Sequence, residues 1–276
     1  MRASELFDVS GFGVVVTGGA SGIGLSFVET MAEAGAQVGV LDVNQGAIAE
    51  QVGRLRSAGL EVQGAVVDVA DRAGLDAAVA EMTARFGRLD VVFANAGVDS
   101  GPGFLGGWAG DHRPRNPEGA LEAYADARWD RVIEVNLNGV FATLRAAARH
   151  MKTRGFGRMI VTTSAAAIRC EPAIGSAYMA AKAGAAHLVR NVALEMAAYG
   201  VTVNAIAPGM FVTNIGGGHL KDEALQAELA KDIPAHRVGF PSDMRGLALF
   251  LASRASDYVT GQQIVIDGGF SLGAAD

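Results

Sequence analysis

Cysteine, basic charge and long apolar runs are scarce in this chain of 276 residues. Its single cysteine, Cys170, excludes an intrachain disulfide framework and fits a reducing compartment. The net charge of −6 disfavours a nucleic-acid or anionic-membrane partner, because both recruit basic surfaces. The first residues lack the apolar core of a signal peptide, and no uncharged apolar run reaches the roughly 18 residues that span a bilayer. We therefore expect a cytoplasmic protein without a membrane partner.

What the chain does have is a regular alternation of short β-branched runs and helical patterns. Spacing such as that of Ile23, Phe27 and Met31 places apolar side chains on one helical face. This alternation predicts an α/β fold, a doubly wound parallel sheet with helices on both faces. No repeat or low-complexity linker divides the chain, so we predict one domain over residues 1–276. The predicted strands are Gly13–Val16, Gln37–Leu41, Val62–Val67, Leu89–Ala94, Arg158–Thr162, Thr202–Ile206 and Gln263–Ile266.

The glycine-rich segment TGGASGIG, residues 17–24, follows the first predicted strand and opens a helix. Its glycines permit a tight turn and the close approach of a pyrophosphate, which would lie at the positive end of that helix. Glycine is common here, with 37 residues, so the position in the first βαβ unit is what favours a dinucleotide site over a structural turn.

Asp42 ends the second predicted strand, about 20 residues beyond the glycines, where dinucleotide-binding folds place an acidic residue. Its carboxylate can accept hydrogen bonds from both ribose hydroxyls and would repel a 2′-phosphate, which favours NAD over NADP. Val43, Asn44 and Ser21 supply no arginine for such a phosphate. The alternative is that Asp42 caps the following helix.

Polar residues also end the next two strands. Asp68 either meets the adenine amino group or caps the helix that begins near Asp71. Asn95 either braces neighbouring strands or contacts the adenosine ribose region, while Gly97 lets the chain pass closely. Ligands of open α/β sheets bind at the carboxyl ends of strands, so these residues belong to the predicted cofactor site.

Two stretches interrupt the regular pattern. Residues 99–128 contain six glycines and three prolines, and loops this long are usually functional, so we predict a lid or a subunit contact. Arg113 and Arg115 hint at an anionic substrate, although solvated loop charges are the simpler interpretation. Residues 210–236 form a second, glycine-rich candidate flap.

The histidines give no indication of a metal site. They lack paired spacing and cysteine companions, so we predict no metal and assign them to surface or core. His112 lies in the first of the two stretches that interrupt the regular pattern, and His219 lies in the second. The five are His112, His150, His187, His219 and His236.

Tyr178 and Lys182 lie four residues apart in SAYMAAK, a stretch that predicts the start of a helix, so they share one face. An ammonium beside a phenol stabilises the phenolate and suits acid/base chemistry. Taken alone, the pair is more simply a surface contact. Asn136 is unusual inside a helical pattern, because asparagine competes for backbone hydrogen bonds, and it needs a partner such as water.

From Gly11 to Phe270 the chain resembles the short-chain dehydrogenases/reductases. It departs from the family's pattern at Ala94, which replaces an asparagine, and in the greater length of the segment after Gly97. The matching motifs occur in family order and are TGGASGIG at 17–24, ANAG at 94–97, Asn136, Ser164, YMAAK at 178–182 and PGMFVT at 208–213.

The resemblance implies a Rossmann-type, seven-stranded sheet, a homotetramer and four catalytic roles. Tyr178 would be the general acid/base, and Lys182 would lower its pKa and bind the nicotinamide ribose. Ser164 would hold the substrate oxygen, and Asn136 would hold a water that relays protons. A tyrosine titrates near pKa 10, so work near neutrality needs a shift of roughly three units, about 4 kcal/mol.

The predicted sites follow from the residues and the resemblance together. Ile168, Arg169 and Glu171 should also shape the pocket, and for Cys170 a buried, inert thiol is the simpler alternative. The predicted substrate-binding residues are Ser164, Ala166, Cys170, Tyr178 and Met210. The predicted cofactor-binding residues are Gly18, Ser21, Gly22, Ile23, Gly24, Asp42, Asp68, Val69, Asn95, Ala96, Gly97, Tyr178, Lys182, Pro208, Gly209, Phe211 and Thr213.

We therefore expect an NAD-dependent oxidoreductase that interconverts a secondary alcohol, polyol or sugar hydroxyl and a carbonyl by hydride transfer. An NADPH-dependent ketoreductase of the oxoacyl-reductase type is the alternative, and Asp42 counts against it. A non-catalytic NAD-binding regulator is a remote alternative, because a fold alone does not imply an activity.

Overall fold

Seven strands form one sheet in the computed structural model, which describes residues 2–107 and 113–273. They are β1 (Gly13–Thr17), β2 (Gln37–Asp42), β3 (Val62–Val66), β4 (Val91–Ala94), β5 (Gly157–Thr162), β6 (Val201–Pro208) and β7 (Gln263–Ile266). Their order across the sheet is β3-β2-β1-β4-β5-β6-β7, and every neighbouring pair is parallel. The doubly wound, Rossmann-type prediction is confirmed. Trp108 and His112 lie outside the described residues.

Helices connect the strands and cover both faces of the sheet. In the described part of the chain, no helix is both long and apolar enough to cross a bilayer. The helices are α1 (Ala3–Leu6), α2 (Gly22–Glu33), α3 (Gln45–Ser57), α4 (Arg72–Phe86), α5 (Asp126–Ile133), α6 (Gly139–Arg154), α7 (Ser176–Met196), α8 (Glu223–Leu229) and α9 (Arg245–Ala252), with a π-helical turn at Glu134–Asn138 between α5 and α6.

The buried strands supply side chains alternately to two apolar layers, as the two-residue period of a strand requires. In β1, Val14 and Val16 belong to the layer under α2, α3 and α9, whereas Val15 faces the layer under α4, α6 and α7. Phe27 of α2 stacks on Phe93 of β4 with 4.6 Å between ring centroids. Because both faces are covered, the central strands are apolar throughout rather than alternating with polar residues.

Six of the seven strands have bounds that differ from the predicted ones, four of them by a single residue, and the larger shifts are in β4 and β6. β4 begins at Val91 rather than Leu89. Before it, the Asp90 side chain accepts a hydrogen bond from Gly13 N at 2.9 Å. β6 continues through Pro208, which pairs with Ile266, although proline cannot donate a ladder hydrogen bond. Both shifts lie at strand ends, where apolar pattern is least informative.

Asn95 holds three strand ends together at the point where the strand order reverses between β1 and β4. Its Nδ2 donates to the carbonyl oxygens of Thr17 and Gly18 at 3.1 and 3.2 Å. Its Oδ1 accepts from Thr162 Oγ1 at 3.0 Å. The bracing interpretation of Asn95 is therefore confirmed, and β1, β4 and β5 are fixed relative to one another where the sheet opens into a crevice.

Replacing Asn95 by alanine should destabilise the fold. The Asn95→Ala change leaves two half-buried carbonyls and the Thr162 hydroxyl without this partner, so we expect a loss of about 2 kcal/mol or more in the free energy of unfolding. Urea unfolding measures it, with the exposed Asn191→Ala in α7 as the matched control. Equal stability of the two variants would contradict the bracing role.

Candidate active site

A cavity of about 700 Å³ opens along the carboxyl ends of the strands. At one end lie the glycine-rich loop and Asp42, and at the other lie Ser164 and Tyr178. Every predicted cofactor-binding residue lines it, from Gly18 to Thr213. The sheet topology therefore brings together residues that are distant in sequence but that each follow the end of a strand.

The glycine-rich loop turns tightly and sets the start of α2 against the cavity. Gly18 has a φ of +64° and donates from its N–H to Leu41 O at 2.7 Å, which ties the loop to the end of β2. A Cβ at Gly24 would lie 2.1 Å from Gly18 O, so only glycine allows the helix to approach the loop this closely. The first turn of α2 therefore points its N–H groups into the cavity, an arrangement suited to an anion.

Asp42 holds the loop rather than the following helix. Its Oδ2 accepts from Ala20 N and its Oδ1 from Asn44 N, each at 3.1 Å. Helix α3 is capped instead by Asn44, whose Oδ1 accepts from Ala47 N at 3.0 Å. The helix-capping alternative for Asp42 is therefore wrong, and the carboxylate remains half-exposed at the cavity wall.

Asp68 likewise does not cap the next helix. Asp71 caps α4 by accepting from Gly74 N at 3.0 Å, whereas Asp68 accepts from Ala70 N at 2.9 Å. Arg131 of α5 reaches the Asp68 carboxylate at 3.3 Å, and both line the cavity. The sequence gives no signal for this ion pair, because its members lie on separate elements that only the fold brings together.

Tyr178, Lys182 and Ser164 converge at the other end of the cavity. Helix α7 begins at Ser176, so the tyrosine and the lysine lie on consecutive turns of one face. Lys182 is buried, its Nζ donates to Thr162 O at 2.7 Å, and it lies 5.6 Å from the centroid of the Tyr178 ring. Ser164 Oγ accepts from Ala166 N at 3.1 Å, which fixes the serine at the end of β5 within hydrogen-bond reach of the phenol. The pair is therefore not an ordinary surface contact: Lys182 is buried, and Tyr178 is half-buried and faces the cavity.

Burial controls the titration of both groups. Loss of hydration raises the pKa of Tyr178 to about 12, which the Ser164 hydrogen bond partly offsets and the nearby Asp99 charge increases. Burial likewise lowers the pKa of Lys182 to about 8. The protein by itself therefore raises rather than lowers the tyrosine pKa, because desolvation of the phenolate is the largest effect.

Asn136 lies in the π-helical turn next to the cavity but does not line it. It is fully buried, its Oδ1 accepts from Val98 N, and its Nδ2 donates to Val98 O, both at 2.9 Å. The polar partner that it needs is thus the backbone after β4. A Cβ at Gly97 would lie 3.0 Å from Asn136 Oδ1 and 3.7 Å from Lys182 Nζ, so Gly97 leaves room for these groups to approach.

The predicted insertion forms one wall of the cavity. Gly103 N donates to Ala173 O at 2.9 Å, and Leu105 N donates to Pro172 O at 3.1 Å. These bonds fasten the insertion to the chain just before α7, and Tyr124 Oη donates to Ser100 O at 2.9 Å behind them. Its residues that line the cavity are Asp99, Gly101, Pro102, Leu105, Gly106, Gly107 and Asn116.

Arg113 and Arg115 of the insertion do not line the cavity. Arg113 pairs with Glu171 at 2.6 Å, and the two side chains are only 18% and 7% exposed. Arg115 lies over the Phe104 ring, 5.8 Å from its centroid. The solvated-charge interpretation is wrong for Arg113, and neither arginine supports an anionic substrate. Glu171 braces the insertion rather than shaping the cavity directly.

Two predicted substrate-binding residues are misplaced. Cys170 is exposed, so the buried-thiol alternative is wrong, and it does not line the cavity, which gives its predicted substrate role no support. Ala166 is also absent from the lining. The physical reason is that the chain turns outward through the 3₁₀ turn Ala165–Ala167, which leaves Ile168 58% exposed. Arg169 follows the same path and lies 4.4 Å from the centroid of Phe270.

Sequence reasoning missed several lining residues. Asp99, Ile174 and Leu220 lie in loops whose course no periodicity reveals, and His219 was noticed only for its place in the flap. A charged residue two positions after the ANAG motif was the one available signal. In the described part of the chain, no group of three or more histidine, cysteine, aspartate or glutamate side chains is arranged to hold a metal.

The burial of Lys182 predicts a pH-dependent effect of its removal. The folded pKa of about 8 lies below the ordinary 10.5, so the wild type carries a cost of about 3 kcal/mol below pH 8 that falls as pH rises toward 10.5. Lys182→Met does not carry this cost. Its free energy of unfolding, relative to that of the wild type, should therefore fall by about 2 kcal/mol between about pH 7 and pH 9.5. Urea unfolding at the two pH values measures this difference.

The control for this prediction is Lys231→Met, which removes a lysine whose side chain is 69% exposed. Its stability relative to wild type should change little over the same pH range. A Lys182→Met difference that is constant with pH would show that the amine is not strongly desolvated.

Comparison with known proteins agrees with this geometry. A family model described as enoyl-(acyl carrier protein) reductase matches residues 18–271. Gluconate 5-dehydrogenase of Gluconobacter oxydans (strain 621H) is 32% identical over 272 residues, 99% of either chain. Cis-4-hydroxycyclohexanecarboxylate dehydrogenase of Sinomonas cyclohexanicum is 38% identical over 258 residues, 93% of this chain and 95% of that relative.

Solved structures are similar over the same length. The structure of a gluconate 5-dehydrogenase from Burkholderia cenocepacia J2315, in complex with NADP and tartrate, superposes with a TM-score of 0.85 at 35% identity. The match covers 98% of this chain and 99% of that one. The chain belongs to the short-chain dehydrogenase/reductase family and is an oxidoreductase that acts on CH–OH groups.

Proposed function

We propose that this protein is an NAD-dependent oxidoreductase that interconverts a secondary alcohol and a carbonyl compound, with Tyr178 as the general acid/base. The observation that carries the proposal is the single cavity in which Asp42 and the glycine-rich loop lie at one end and Ser164, Tyr178 and Lys182 lie at the other. This arrangement suits a dinucleotide whose adenosine half lies at Asp42 and whose reactive half lies beside the tyrosine.

The residues present fit such a cofactor. The first turn of α2 offers unpaired N–H groups to a pyrophosphate, and the Asp42 carboxylate borders the cavity where a ribose would bind. Thr213 and the backbone near Phe211 would orient the carboxamide. Their segment passes close to the glycine-rich loop, because a Cβ at Gly22 would lie 3.5 Å from Thr213 Cβ. When bound, the cofactor supplies or accepts the hydride.

The chain's own residues would handle the proton. In the direction of alcohol oxidation, the Tyr178 phenolate takes the proton of the substrate hydroxyl while the Ser164 hydroxyl holds the substrate oxygen. Lys182 would pass the proton on, by way of a water near Asn136, toward solvent. The hydrogen bonds of Lys182 Nζ to Thr162 O and of Val98 N to Asn136 Oδ1 support this route, because they hold both side chains beside the strand ends.

Because the pKa of Tyr178 is raised in the protein alone, the bound cofactor would have to lower it for catalysis near neutral pH. With the pKa near 12, the phenol of the protein alone stays protonated at neutral pH. Lys182, with its pKa near 8, is mostly charged at pH 7, so one positive charge is already in place. A second positive charge, on the oxidised nicotinamide ring, would favour the phenolate further.

Asp42 favours NAD, because its carboxylate would face the 2′-phosphate of NADP. The alternative is an NADPH-dependent ketoreductase of the oxoacyl-reductase type. It is supported by the NADP in the Burkholderia relative and by the acyl-carrier-protein description of the matching family. In this chain the residues after Asp42 are Val43 and Asn44, which offer no positive charge to a phosphate.

Tyr178→Phe tests the catalytic role. The change keeps the ring that packs beside Lys182 and removes only the hydroxyl that exchanges the proton. We expect NADH binding, followed by fluorescence titration, to be preserved while kcat falls by about 10³ or more. Substantial activity in a variant that binds NADH normally would contradict the proposed mechanism.

Asp42→Asn tests the cofactor preference. The amide keeps an acceptor for Asn44 N but loses the negative charge, so kcat/KM for NAD should fall about tenfold and that for NADP should rise. The ratio of the two kcat/KM values is the measurement. Glu50→Gln, an exposed carboxylate of α3, is the control. A wild type that strongly prefers NADP would refute the role of Asp42.

A further inference from the structure

The substrate end of the cavity has little positive charge. Three basic side chains line the cavity among the described residues: Arg131, Lys182 and His219. Arg131 is paired with Asp68, and Lys182 is buried and bonded to Thr162 O. Residues 108–112 add no lysine or arginine to the chain, since they read WAGDH. Arg128 lies behind Gly101 with its guanidinium over the Tyr124 ring, 5.6 Å from the ring centroid, and does not line the cavity. Among the described residues, a carboxylate entering beside Tyr178 would therefore find no lysine or arginine of the cavity lining free to pair with it.

Asp99 places a negative charge at this end instead. It is exposed to the cavity, its Oδ1 accepts from Ser100 N at 2.8 Å, and its charge acts on Tyr178. Its Oδ2 faces the flap, because a Cβ at Gly216 would lie 3.8 Å from it. Gly216, with a φ of +62°, begins three successive left-handed glycines, so no side chain at this position covers the carboxylate.

The surfaces around Asp99 are largely apolar, although Asn116, Asn214 and His219 also line the cavity. A Cβ at Gly216 would lie 3.8 Å from the His219 ring as well as from Asp99 Oδ2. One side of the substrate end is formed by the insertion and the segment before α7, and the other by the flap. The apolar side chains that line the cavity here are Pro102, Leu105, Ile174, Met210, Ile215 and Leu220. Apolar walls reward the burial of hydrocarbon, and they make an unpaired charge in their midst costly.

We propose, on the basis of the function proposed above, that Asp99 is a specificity-determining residue. The pocket takes an uncharged, largely apolar secondary alcohol or ketone, whose remote polar group donates a hydrogen bond to Asp99, and it discriminates against substrates that carry a carboxylate. The discrimination has two causes: repulsion by Asp99 and the lack of a lysine or arginine partner. The substrate class would thus differ from the acids that name the gluconate and hydroxycyclohexanecarboxylate dehydrogenases.

A matched pair of ketones tests this proposal. In 4-oxocyclohexanecarboxylate and its carboxamide, the ring and the reacting carbonyl are the same, and only the remote charge differs. With NADH, the wild type should reduce the carboxamide with a kcat/KM at least about tenfold above that of the carboxylate. Asp99→Asn should reduce the ratio of the two kcat/KM values about tenfold. The change should come from a higher kcat/KM for the carboxylate, because the repulsion by Asp99 is removed.

Three variants make the result specific. Asp99→Ser should change the ratio in the same direction, and thermal unfolding midpoints establish that both Asp99 variants are folded. Glu122→Gln removes an exposed carboxylate of the same insertion that does not line the cavity, and it should leave the ratio unchanged. His219→Gln removes the remaining basic side chain of the cavity lining. It should not selectively lower kcat/KM for the carboxylate.

Binding gives a readout that does not depend on turnover. Dissociation constants of the two ketones for Tyr178→Phe saturated with NADH should show the same preference, and Asp99→Asn in that background should reduce it. If neither ketone is reduced by the wild type but the binding preference is present, the proposed function fails and the role of Asp99 stands. Three results would each overturn the proposal. They are binding of the carboxylate that is equal to or tighter than that of the carboxamide, a ratio of kcat/KM values that is unchanged in Asp99→Asn, and a selective fall in kcat/KM for the carboxylate in His219→Gln.

Discussion

The burial of the Lys182 amine beside Tyr178 is the constraint on which the site depends. An ammonium without water is costly, and here it is stabilised by one short hydrogen bond to Thr162 O at the end of β5. Thr162 is held in turn through Asn95, whose amide joins β1, β4 and β5. The placement of the amine therefore depends on the register of the central strands, and a shift of one strand would move it away from the phenol.

The two ends of the cavity are built in different ways. At the end proposed for adenosine, strand ends and the start of α2 position short polar contacts such as those of Asp42, so the geometry follows from the fold itself. At the substrate end, the insertion is fastened to residues 172–173 by backbone hydrogen bonds and to Glu171 through Arg113. Loops supported by a rigid scaffold can change their side chains without changing the sheet, which is how one fold serves many substrates.

The fold and most of the cavity lining proposed for the cofactor could be predicted from the sequence, because both rest on local signals. Apolar runs mark the buried strands, and the glycine-rich loop with Asp42 marks the crevice. Cys170 shows why the rest could not be predicted. It follows Ser164 closely, yet the 3₁₀ turn between them directs it to the surface, and turn geometry is not encoded in a hydrophobic period. The same holds for Arg113, whose partner Glu171 is distant in sequence.

By itself, the sequence determined the order of strands and helices, the residue types at each strand end, and the spacing that puts Tyr178 and Lys182 on one helical face. Only the tertiary structure decided in which direction the pKa values of these two side chains shift. Burial raises the tyrosine pKa and lowers that of the lysine, an outcome opposite to the simple pairing of a phenol with a cation. The tertiary structure also decided which charges line the cavity, excluding Arg113 and including Asp99. Desolvation and proximity depend on neighbours from other parts of the chain, and those neighbours exist only once the loops are folded.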